Sequence, residues 1–282
     1  MSTATAAQLE AAWAERVREN RAQVDRIREV PDRDFYAPVS SLFVADPRRT
    51  GEEALEALLR LSEPEDHWLD IGAGAGRYAL PLALEVAEVI ALEPSASMRN
   101  ALRTGKAEHG LNNLRIVAGV WPDALGELGE PPVADVSLIA HVGYDIEQIG
   151  PFIDAMEAAA SRLCVAMLTD RSPASVADPF WPVVHGMERV PLPALPELAE
   201  LLRARGRQTE IQRVERAPRV FDSFDGLATF VRRQLWITDD GEKEQRFRAA
   251  LARMARELDD DSWTLATPPV GAIGLLTWSP NG

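Results

Sequence analysis

Short apolar runs alternate with helix-like periods over residues 67–169, and this alternation is the strongest structural signal in the chain. Five runs of five to eight mostly apolar residues predict strands, and three segments whose apolar positions recur every three or four residues predict helices between them. Strands and helices in this order favour a parallel sheet with helices on both faces. The predicted strands are 67–71, 88–92, 113–120, 135–140 and 163–169, and the predicted helices are 77–86, 95–108 and 149–160.

The flanking segments have a mainly helical pattern. Leu9, Trp13 and Val17 share one face of an amphipathic helix near the N-terminus. Thr50, with Glu53 three positions later, predicts a capping box that opens a second helix. The predicted flanking helices are 6–30, which Pro31 ends, 50–61, 198–205, 222–235 and 243–258, and the predicted flanking strands are 209–215 and 269–278.

These patterns divide the chain into three parts. Residues 1–60 are predicted to form an N-terminal helical cap, and residues 61–170 a nucleotide-binding core. Residues 171–282 are predicted to add a proline-rich insertion at 171–196, further helices and closing strands to the same domain. A length of 282 residues agrees with one large domain, since domains average roughly 150 residues.

The net charge of −14 and the single cysteine exclude several classes of protein. An acidic chain binds a nucleic-acid phosphate backbone poorly, so nucleic acid is not an expected partner. The lone Cys164 excludes an intrachain disulfide and a cysteine-based zinc site, and no metal is expected. No apolar stretch is long enough for a membrane span, and the N-terminus has no signal-peptide pattern. The sequence therefore predicts a soluble, cytoplasmic protein.

The most informative motif follows the first predicted strand and opens a helix. It reads Asp70-Ile-Gly72-Ala73-Gly74-Ala-Gly76-Arg77. Glycines in such a turn let the backbone approach a nucleotide closely. A dinucleotide motif has glycines at its first, third and sixth positions, but the sixth position here is Arg77. Asp70 also places a carboxylate beside the turn, which repels a pyrophosphate and attracts an ammonium group unless it serves only as a strand-end hydrogen-bond acceptor.

A second carboxylate ends the second predicted strand. Glu93 lies 21 residues after Gly72, where an acidic residue accepts hydrogen bonds from ribose hydroxyls. The alternative is a charge that stabilises the N-terminus of the helix beginning at Ser95. Both NAD and S-adenosylmethionine (SAM) contain an adenosine ribose, so Glu93 alone does not separate these cofactors.

The Asp-x-Gly-x-Gly-x-Gly motif, Glu93 and the fourth strand with its continuation at 134–142 together resemble the class I SAM-dependent methyltransferases. The resemblance covers residues 61–170 and continues in the order of elements to the C-terminus. It implies an α/β, doubly wound Rossmann-like sheet of about seven strands, in which the last strand, 269–278, is antiparallel. It also implies SAM as cofactor and S-adenosylhomocysteine (SAH) as product.

The resemblance further implies cofactor contacts at the ends of the strands. Asp70 and the loop 72–76 would hold the amino-acid end of SAM, and Glu93 the ribose. Trp121 departs from the family, which often has a polar residue there; it either stacks on adenine or covers the end of the sheet. The residues assigned to the cofactor are Asp70, Gly72, Ala73, Gly74, Gly76, Glu93, Pro94, Met98, Val120, Trp121, His141 and Val142.

Methyl transfer from a sulfonium needs alignment and a water-poor site, and a base only when the acceptor is protonated. His141 is the candidate base, or else a residue of the cofactor shell held by a backbone hydrogen bond. The segment around Phe180 and Trp181 either forms an acceptor lid with the N-terminal cap or plugs the edge of the sheet. The candidate acceptor-binding residues are Tyr36, Tyr144, Phe180, Trp181 and His185.

The leading hypothesis is therefore a SAM-dependent transferase that methylates a small molecule. Methylation of a protein and non-catalytic binding of SAM remain open alternatives, and an NAD-dependent reductase is disfavoured by Arg77. The sequence indicates neither the acceptor nor the methylated atom, because acceptor specificity resides in variable caps and loops. It also leaves the oligomeric state open.

Overall fold

A seven-stranded mixed sheet forms the centre of the fold. The structure is a computed structural model and describes residues 4–30, 34–215, 217–266 and 272–280. In chain order the strands are β1 (His67–Ile71), β2 (Glu88–Leu92), β3 (Leu114–Val117), β4 (Ala134–Ala140), β5 (Ala160–Thr169), β6 (Thr209–Val214), β7 (Ala255–Glu257), β8 (Trp263–Leu265) and β9 (Ile273–Trp278).

The large sheet has the order β3-β2-β1-β4-β5-β9-β6, while β7 and β8 form a separate antiparallel pair. Strand β9 lies between β5 and β6 and is antiparallel to both. The other pairings in the large sheet are parallel. This topology confirms the predicted Rossmann-like sheet with an antiparallel last strand. The start of that strand was predicted at Pro269, which lies outside the described residues.

Helices cover both faces of the sheet, and three 3-10 segments connect them. The helices are α1 (Ala6–Ile27), α2 (Glu53–Leu59), α3 (Ala79–Leu82), α4 (Ala96–Glu108), α5 (Leu125–Leu128), α6 (Ile149–Ala159), α7 (Trp181–His185), α8 (Leu195–Ala204), α9 (Phe224–Arg232) and α10 (Gly241–Met254). The 3-10 segments are Ala37–Phe43, Pro173–Phe180 and Arg233–Leu235. None of the helices in the described part of the chain is long and apolar enough to cross a membrane.

The central strands place the candidate site. Strand β1 lies between β2 and β4, with Asp70 in register with Ala91 and Leu138. The chain leaves β1 towards β2 on one side and returns to β4 on the other, so the strand order reverses at this point. Ligands of doubly wound sheets bind beyond the carboxyl ends of the strands at such a reversal.

Three buried apolar clusters hold the elements together. Two of them lie on the two faces of the sheet. The third joins the end of α1 to the C-terminal helices and includes Phe180, Trp181 and Phe247. The cap helix α1 is also tied to the C-terminal part by Arg16, which donates to Glu197 at 2.6 Å. The predicted division into cap, core and lid stays a prediction.

Several predicted boundaries are wrong in detail. The first helix ends at Ile27, before Pro31, which lies outside the described residues. Thr50 does not cap the second helix; α2 begins at Glu53 without a side-chain cap, and Glu56 instead accepts the Gly51 N–H. The helix predicted over 77–86 is confined to α3, and the strand predicted over 113–120 ends at Val117.

The helix predicted over 243–258 is also too long. It ends at Met254 because residues 255–257 pair with residues 263–265 as the β7–β8 hairpin. Residues 255–257 can bond either within a helix or with the strand that follows in the sequence. The spacing of apolar residues does not show which set of backbone hydrogen bonds forms.

Candidate functional site

A cavity of about 310 Å³ lies beyond the carboxyl ends of β1, β2 and β4. This volume is at the lower end of the range for small-molecule sites, about 300–1,000 Å³. Eleven residues that the sequence assigned to a cofactor line it together. They are Asp70, Gly72, Ala73, Gly74, Glu93, Pro94, Met98, Val120, Trp121, His141 and Val142.

Asp70 is a buried carboxylate in this cavity with an unsatisfied oxygen. Its side chain is 2% exposed, and its Oδ1 has no hydrogen-bond partner within the described residues. Burial, and then the negative charge of Glu93, raises the pKa of Asp70 to about 7. Because a buried carboxylate without a partner is unfavourable, a cationic group in the cavity would stabilise the ionised form of Asp70.

Glu93 joins the glycine loop to the end of β2. Its Oε2 accepts the Gly74 N–H at 2.8 Å, and its Oε1 accepts the Ser95 N–H at 2.7 Å. Burial raises the pKa of Glu93, although these backbone hydrogen bonds oppose that rise. Each carboxylate oxygen has a second lone pair, so Glu93 can still accept hydrogen bonds from ligand hydroxyls.

Two glycines of the loop have different surroundings. Gly74 has φ +58°, and a Cβ built there would meet no atom within 4 Å. Gly76 has φ +87°, and a Cβ there would overlap the Leu102 side chain and lie 2.8 Å from Leu80 Cγ. Gly76 does not line the cavity, and its cofactor contact stays a prediction. Its lack of a side chain lets the loop pack closely against α3 and α4.

Trp121 follows β3, His141 follows β4, and both residues line the cavity. Trp121 is buried, and its Nε1 donates to the Phe152 carbonyl at 3.2 Å, so this ring covers the end of the sheet while it lines the cavity. His141 has φ +59°, and its backbone N–H donates to the Met167 carbonyl at 2.8 Å. This placement agrees with either predicted role of His141, and its catalytic role stays a prediction.

Of the five predicted acceptor residues, only Tyr36 lines the cavity. The Tyr144 hydroxyl bonds Thr169 and is buried away from the cavity. Phe180 and Trp181 are 0% exposed in the third cluster, and the His185 ring packs on Trp181.

Phe180, Trp181 and His185 do not line the cavity, so their placement favours the plug over the lid, and their assignment to the acceptor stays a prediction. These side chains form the plug alternative, because their apolar surface is buried against α9, α10 and the segment after them. The His185 Nε2 lies 2.9 Å from the Leu235 carbonyl, which ties α7 to that same cluster.

Several cavity residues lay outside the sequence assignment. Among them are Phe43, Tyr78 and Asp145, which line the cavity beside the predicted residues. The aromatic loop before residue 47 and the position of Asp145 just after the fourth strand were signals for two of them. Tyr78 carried no signal, since its cavity position depends on how the short α3 packs.

The segment 34–43 closes over the cavity and is fastened to the N-terminus of α4. The Asp34 carboxylate accepts the Ser95 hydroxyl at 2.9 Å and the Ser97 N–H at 3.1 Å. These bonds lower the pKa of Asp34 although burial opposes the change. Ser95 also donates its backbone N–H to Glu93, so Asp34 and Glu93 hold the same turn.

We expect Asp34→Asn to loosen this segment. Loss of a carboxylate cap at a helix N-terminus is typically worth about 1 kcal/mol, which corresponds to roughly five-fold faster local opening. Amide hydrogen exchange over residues 34–44 measures the effect. Asp46→Asn is the matched control, because the Asp46 side chain accepts the Arg48 N–H within its own loop. Equal exchange in wild type and Asp34→Asn would rule out a fastening role for Asp34.

In the described part of the chain, no three His, Cys, Asp or Glu side chains are grouped so that they could hold a metal ion.

The cavity has an acidic end, formed by Asp70 and Glu93, and an aromatic side, formed by Tyr36 and Phe43.

Comparison with known proteins places this geometry in context. No known protein-family profile matches the chain. An uncharacterized protein of Haemophilus influenzae is 26% identical over 203 residues, which cover 71% of this chain and 73% of the relative. This relative shows that similar sequences exist elsewhere but assigns no activity.

Solved structures show the fold. The YcgJ protein of Bacillus subtilis has a TM-score of 0.55 at 15% identity, over 82% of this chain and 99% of that chain. A Bacillus halodurans protein assigned as a methyltransferase has a TM-score of 0.54 at 12% identity, over 80% and 96% of the two chains. The [4+2]-cyclase SpnF has a TM-score of 0.52 at 15% identity, over 88% and 94%. Together with the strand order, these likenesses show that the chain has the fold of the class I SAM-dependent methyltransferases.

Proposed function

We propose that this chain is a SAM-dependent methyltransferase that acts on a small-molecule acceptor. The observation that carries the proposal is the buried Asp70, whose unpartnered oxygen belongs to the cavity at the glycine turn. SAM has an ammonium group and a sulfonium, and a carboxylate in a poorly solvated cavity attracts such a cation strongly.

The other cavity residues fit the remaining parts of SAM. Glu93 would accept the ribose hydroxyls, and the glycine loop would face the amino-acid end. Met98 and Val120 supply apolar surface for the adenine. When bound, SAM supplies a methyl group that is activated for in-line displacement. The protein then aligns the acceptor and excludes water, and these are the main requirements for this transfer.

The surroundings of Arg77 favour SAM over NAD. A dinucleotide turn needs a third glycine at the sixth position, and Arg77 occupies that position with its side chain bonded to Glu52 at 2.7 Å. The pyrophosphate of NAD would also lie beside the carboxylate of Asp70, and this arrangement would be repulsive. Both features disfavour NAD.

The cover over the cavity supports a small acceptor. Tyr36 and Phe43 of the segment 34–43 line the cavity beside the proposed cofactor residues, and such a covered site suits a small ligand better than an extended peptide. The cavity surface combines aromatic side chains with few polar groups, which is typical of small-molecule sites.

Thermal shift with SAM, SAH and NADH tests the cofactor. A ligand at 100 times its Kd stabilises by about 2.7 kcal/mol, which raises the melting temperature of a chain of this size by roughly 5–10 °C. We expect this rise with SAM and SAH and none with NADH. Stabilisation by NADH alone would contradict the proposal.

Binding must be separated from transfer, since a [4+2]-cyclase has the same fold. Incubation with SAM and a pool of small molecules, followed by mass spectrometry, should detect a methylated product together with SAH. SAH released without a methylated product would show cofactor breakdown and would leave methyl transfer unsupported.

A further inference from the structure

The charged side chains that line the cavity are mainly carboxylates. Asp70, Glu93 and Asp145 belong to the lining. Arg77 lines the cavity as well, but its guanidinium is paired with Glu52 at 2.7 Å. Because that pair is neutral, the lining in the described part of the chain has an excess of negative charge. Such an excess attracts cations into a poorly solvated cavity.

Bound SAM would balance only part of this negative charge. Its ammonium and sulfonium are offset by its own carboxylate, so the cofactor carries a single net positive charge. Asp70, which is buried with an unpartnered oxygen, would face the ammonium. Glu93 would accept hydrogen bonds from the ribose hydroxyls. Neither assignment uses Asp145, so this third carboxylate is left for the acceptor.

Asp145 lies in the loop that follows β4. The first residues of that loop, His141 and Val142, line the same cavity. Asp145 is exposed, and its carboxylate forms no hydrogen bond or ion pair within the described residues. Solvent therefore reaches it, and so can a molecule that enters the cavity. A cation that covers Asp145 also displaces screening water, which strengthens the attraction between the two charges.

The aromatic side of the cavity lies within the influence of this carboxylate. Tyr36 and Phe43 line the cavity, and their ring centroids lie 5.8 Å apart. Part of Tyr36 is exposed, but burial and then the charge of Asp145 raise the pKa of its phenol to about 12. Arg233 opposes this rise with a smaller effect, and it does not line the cavity. The phenol is therefore neutral, and the nearest strong charge on this side is negative.

An unpaired carboxylate beside aromatic rings fits an ammonium group that is carried on an apolar body. The carboxylate accepts a charge-assisted hydrogen bond, and the rings provide apolar surface whose quadrupole also attracts cations. An anionic molecule would instead be repelled by the carboxylates of the lining. A neutral molecule would gain no charge-assisted bond from Asp145.

This inference rests on the proposed function and names the class of acceptor for the same site. We propose that the acceptor is a small primary amine with an apolar body, and that Asp145 selects it by binding its ammonium group on the aromatic side of the cavity. Tyr36 and Phe43 would contact the apolar body.

The bound ammonium must lose a proton before its nitrogen can accept a methyl group. That proton passes to water at the exposed carboxylate of Asp145, and the nitrogen lone pair becomes free. The lone pair then forms a bond to the methyl carbon, while the electron pair of the broken S–C bond remains on sulfur. The products are SAH, which is a neutral thioether at its sulfur, and a protonated secondary amine, whose charge Asp145 can again balance.

Calorimetric titration of the SAH-bound protein with three matched probes tests the inference. Benzylamine, benzyl alcohol and benzoate are similar in size and carry a positive, no and a negative charge at neutral pH. We expect benzylamine to bind about ten-fold more tightly than benzyl alcohol, because a hydrogen bond between charged groups is stronger than a neutral one. Asp145→Asn should lower the benzylamine affinity to the benzyl alcohol level, and Asp145→Glu should retain part of the difference.

Asp123→Asn is the matched control. Asp123 is an exposed carboxylate in the loop after β3, but it does not line the cavity, so all three affinities should stay unchanged. Equal binding of benzylamine and benzyl alcohol by wild type, absence of benzylamine binding, or a preference for benzoate would each overturn the inference. A benzylamine preference that survives in Asp145→Asn would overturn the role of Asp145.

SAH affinity, measured on the same samples, separates this inference from the proposed function. We expect Asp145→Asn to bind SAH as tightly as wild type, and a parallel loss of SAH affinity would mean that Asp145 serves the cofactor instead. The wild-type comparison of probes needs no variant, so a folding defect in Asp145→Asn does not remove the test. A protein that binds SAH but does not prefer benzylamine contradicts this inference alone, whereas a protein that does not bind SAH contradicts the proposed function.

Discussion

Replacement of Asp70 by asparagine should remove most of the affinity for SAM and SAH. The carboxylate is buried at the glycine turn with one oxygen unpartnered among the described residues, so its negative charge is available to the ligand ammonium. A hydrogen bond between charged groups contributes about 1.5–3 kcal/mol, so we expect affinity to fall roughly 10- to 100-fold. Isothermal titration with SAH measures this change directly.

The same substitution should stabilise the ligand-free protein above pH 7. The pKa of Asp70 is raised from 3.8 to about 7, so between these values the folded state binds more protons than the unfolded state. Stability from this group is present in acid and is lost as the pH rises through about 7. The asparagine side chain carries no charge at any pH, so thermal unfolding of Asp70→Asn at pH 8 should show a higher melting temperature, by about 2–4 °C for each kcal/mol recovered.

In the wild-type protein the affinity for the cofactor should rise with pH, whereas the stability contributed by Asp70 falls. The ammonium of SAM pairs with ionised Asp70, so affinity should weaken as the pH falls below about 7, and this dependence should disappear in Asp70→Asn. Asp135→Asn is the matched control. Asp135 accepts the His67 N–H at 2.8 Å at the opposite end of the strands, and its pKa is lowered rather than raised. Unchanged SAH affinity in Asp70→Asn would contradict the assignment of Asp70.

Replacement of Gly76 by valine should destabilise the fold strongly. The left-handed φ of +87° strains a β-branched residue, and its Cβ would overlap Leu102 and crowd Leu80. Backbone strain and overpacking each cost about 1–3 kcal/mol, so we expect a loss of roughly 2–5 kcal/mol. Urea unfolding followed by circular dichroism measures the free energy of unfolding.

Gly74→Ala separates backbone strain from packing. Gly74 also has a positive φ, but a side chain there has free space. Gly74→Ala should therefore lower the free energy of unfolding only through backbone strain, by about 1–2 kcal/mol. A much larger loss at Gly76 than at Gly74 supports the packing role. Equal losses would mean that the contacts with Leu102 and Leu80 adjust without penalty.

The sequence predicts the sheet well because its signals are local. Runs such as 67–71 and 88–92 are buried between neighbouring strands, and a buried parallel strand reads as a continuous apolar run. The turn from Asp70 to Gly76 and the position of Glu93 are also local, since each follows the end of a strand. The parallel topology then brings these strand ends together without further information.

Contacts between distant segments could not be predicted in this way. Phe180 and Trp181 look equally suited to a lid or to a core, and the choice depends on α9 and α10, which are more than 40 residues away. The role of Gly76 depends on Leu102 and Leu80, whose approach to the loop follows from helix packing.

The sequence by itself thus determined the α/β sheet and the two carboxylates at the ends of β1 and β2, while the antiparallel direction of the last strand followed from the resemblance to a known family. Periodicity and turn chemistry act over a few residues and leave a readable pattern. Only the tertiary structure decided which aromatic residues line the cavity and which are buried in the third apolar cluster. Burial and charge pairing depend on contacts between segments that are distant in the sequence, and no local pattern predicts those contacts.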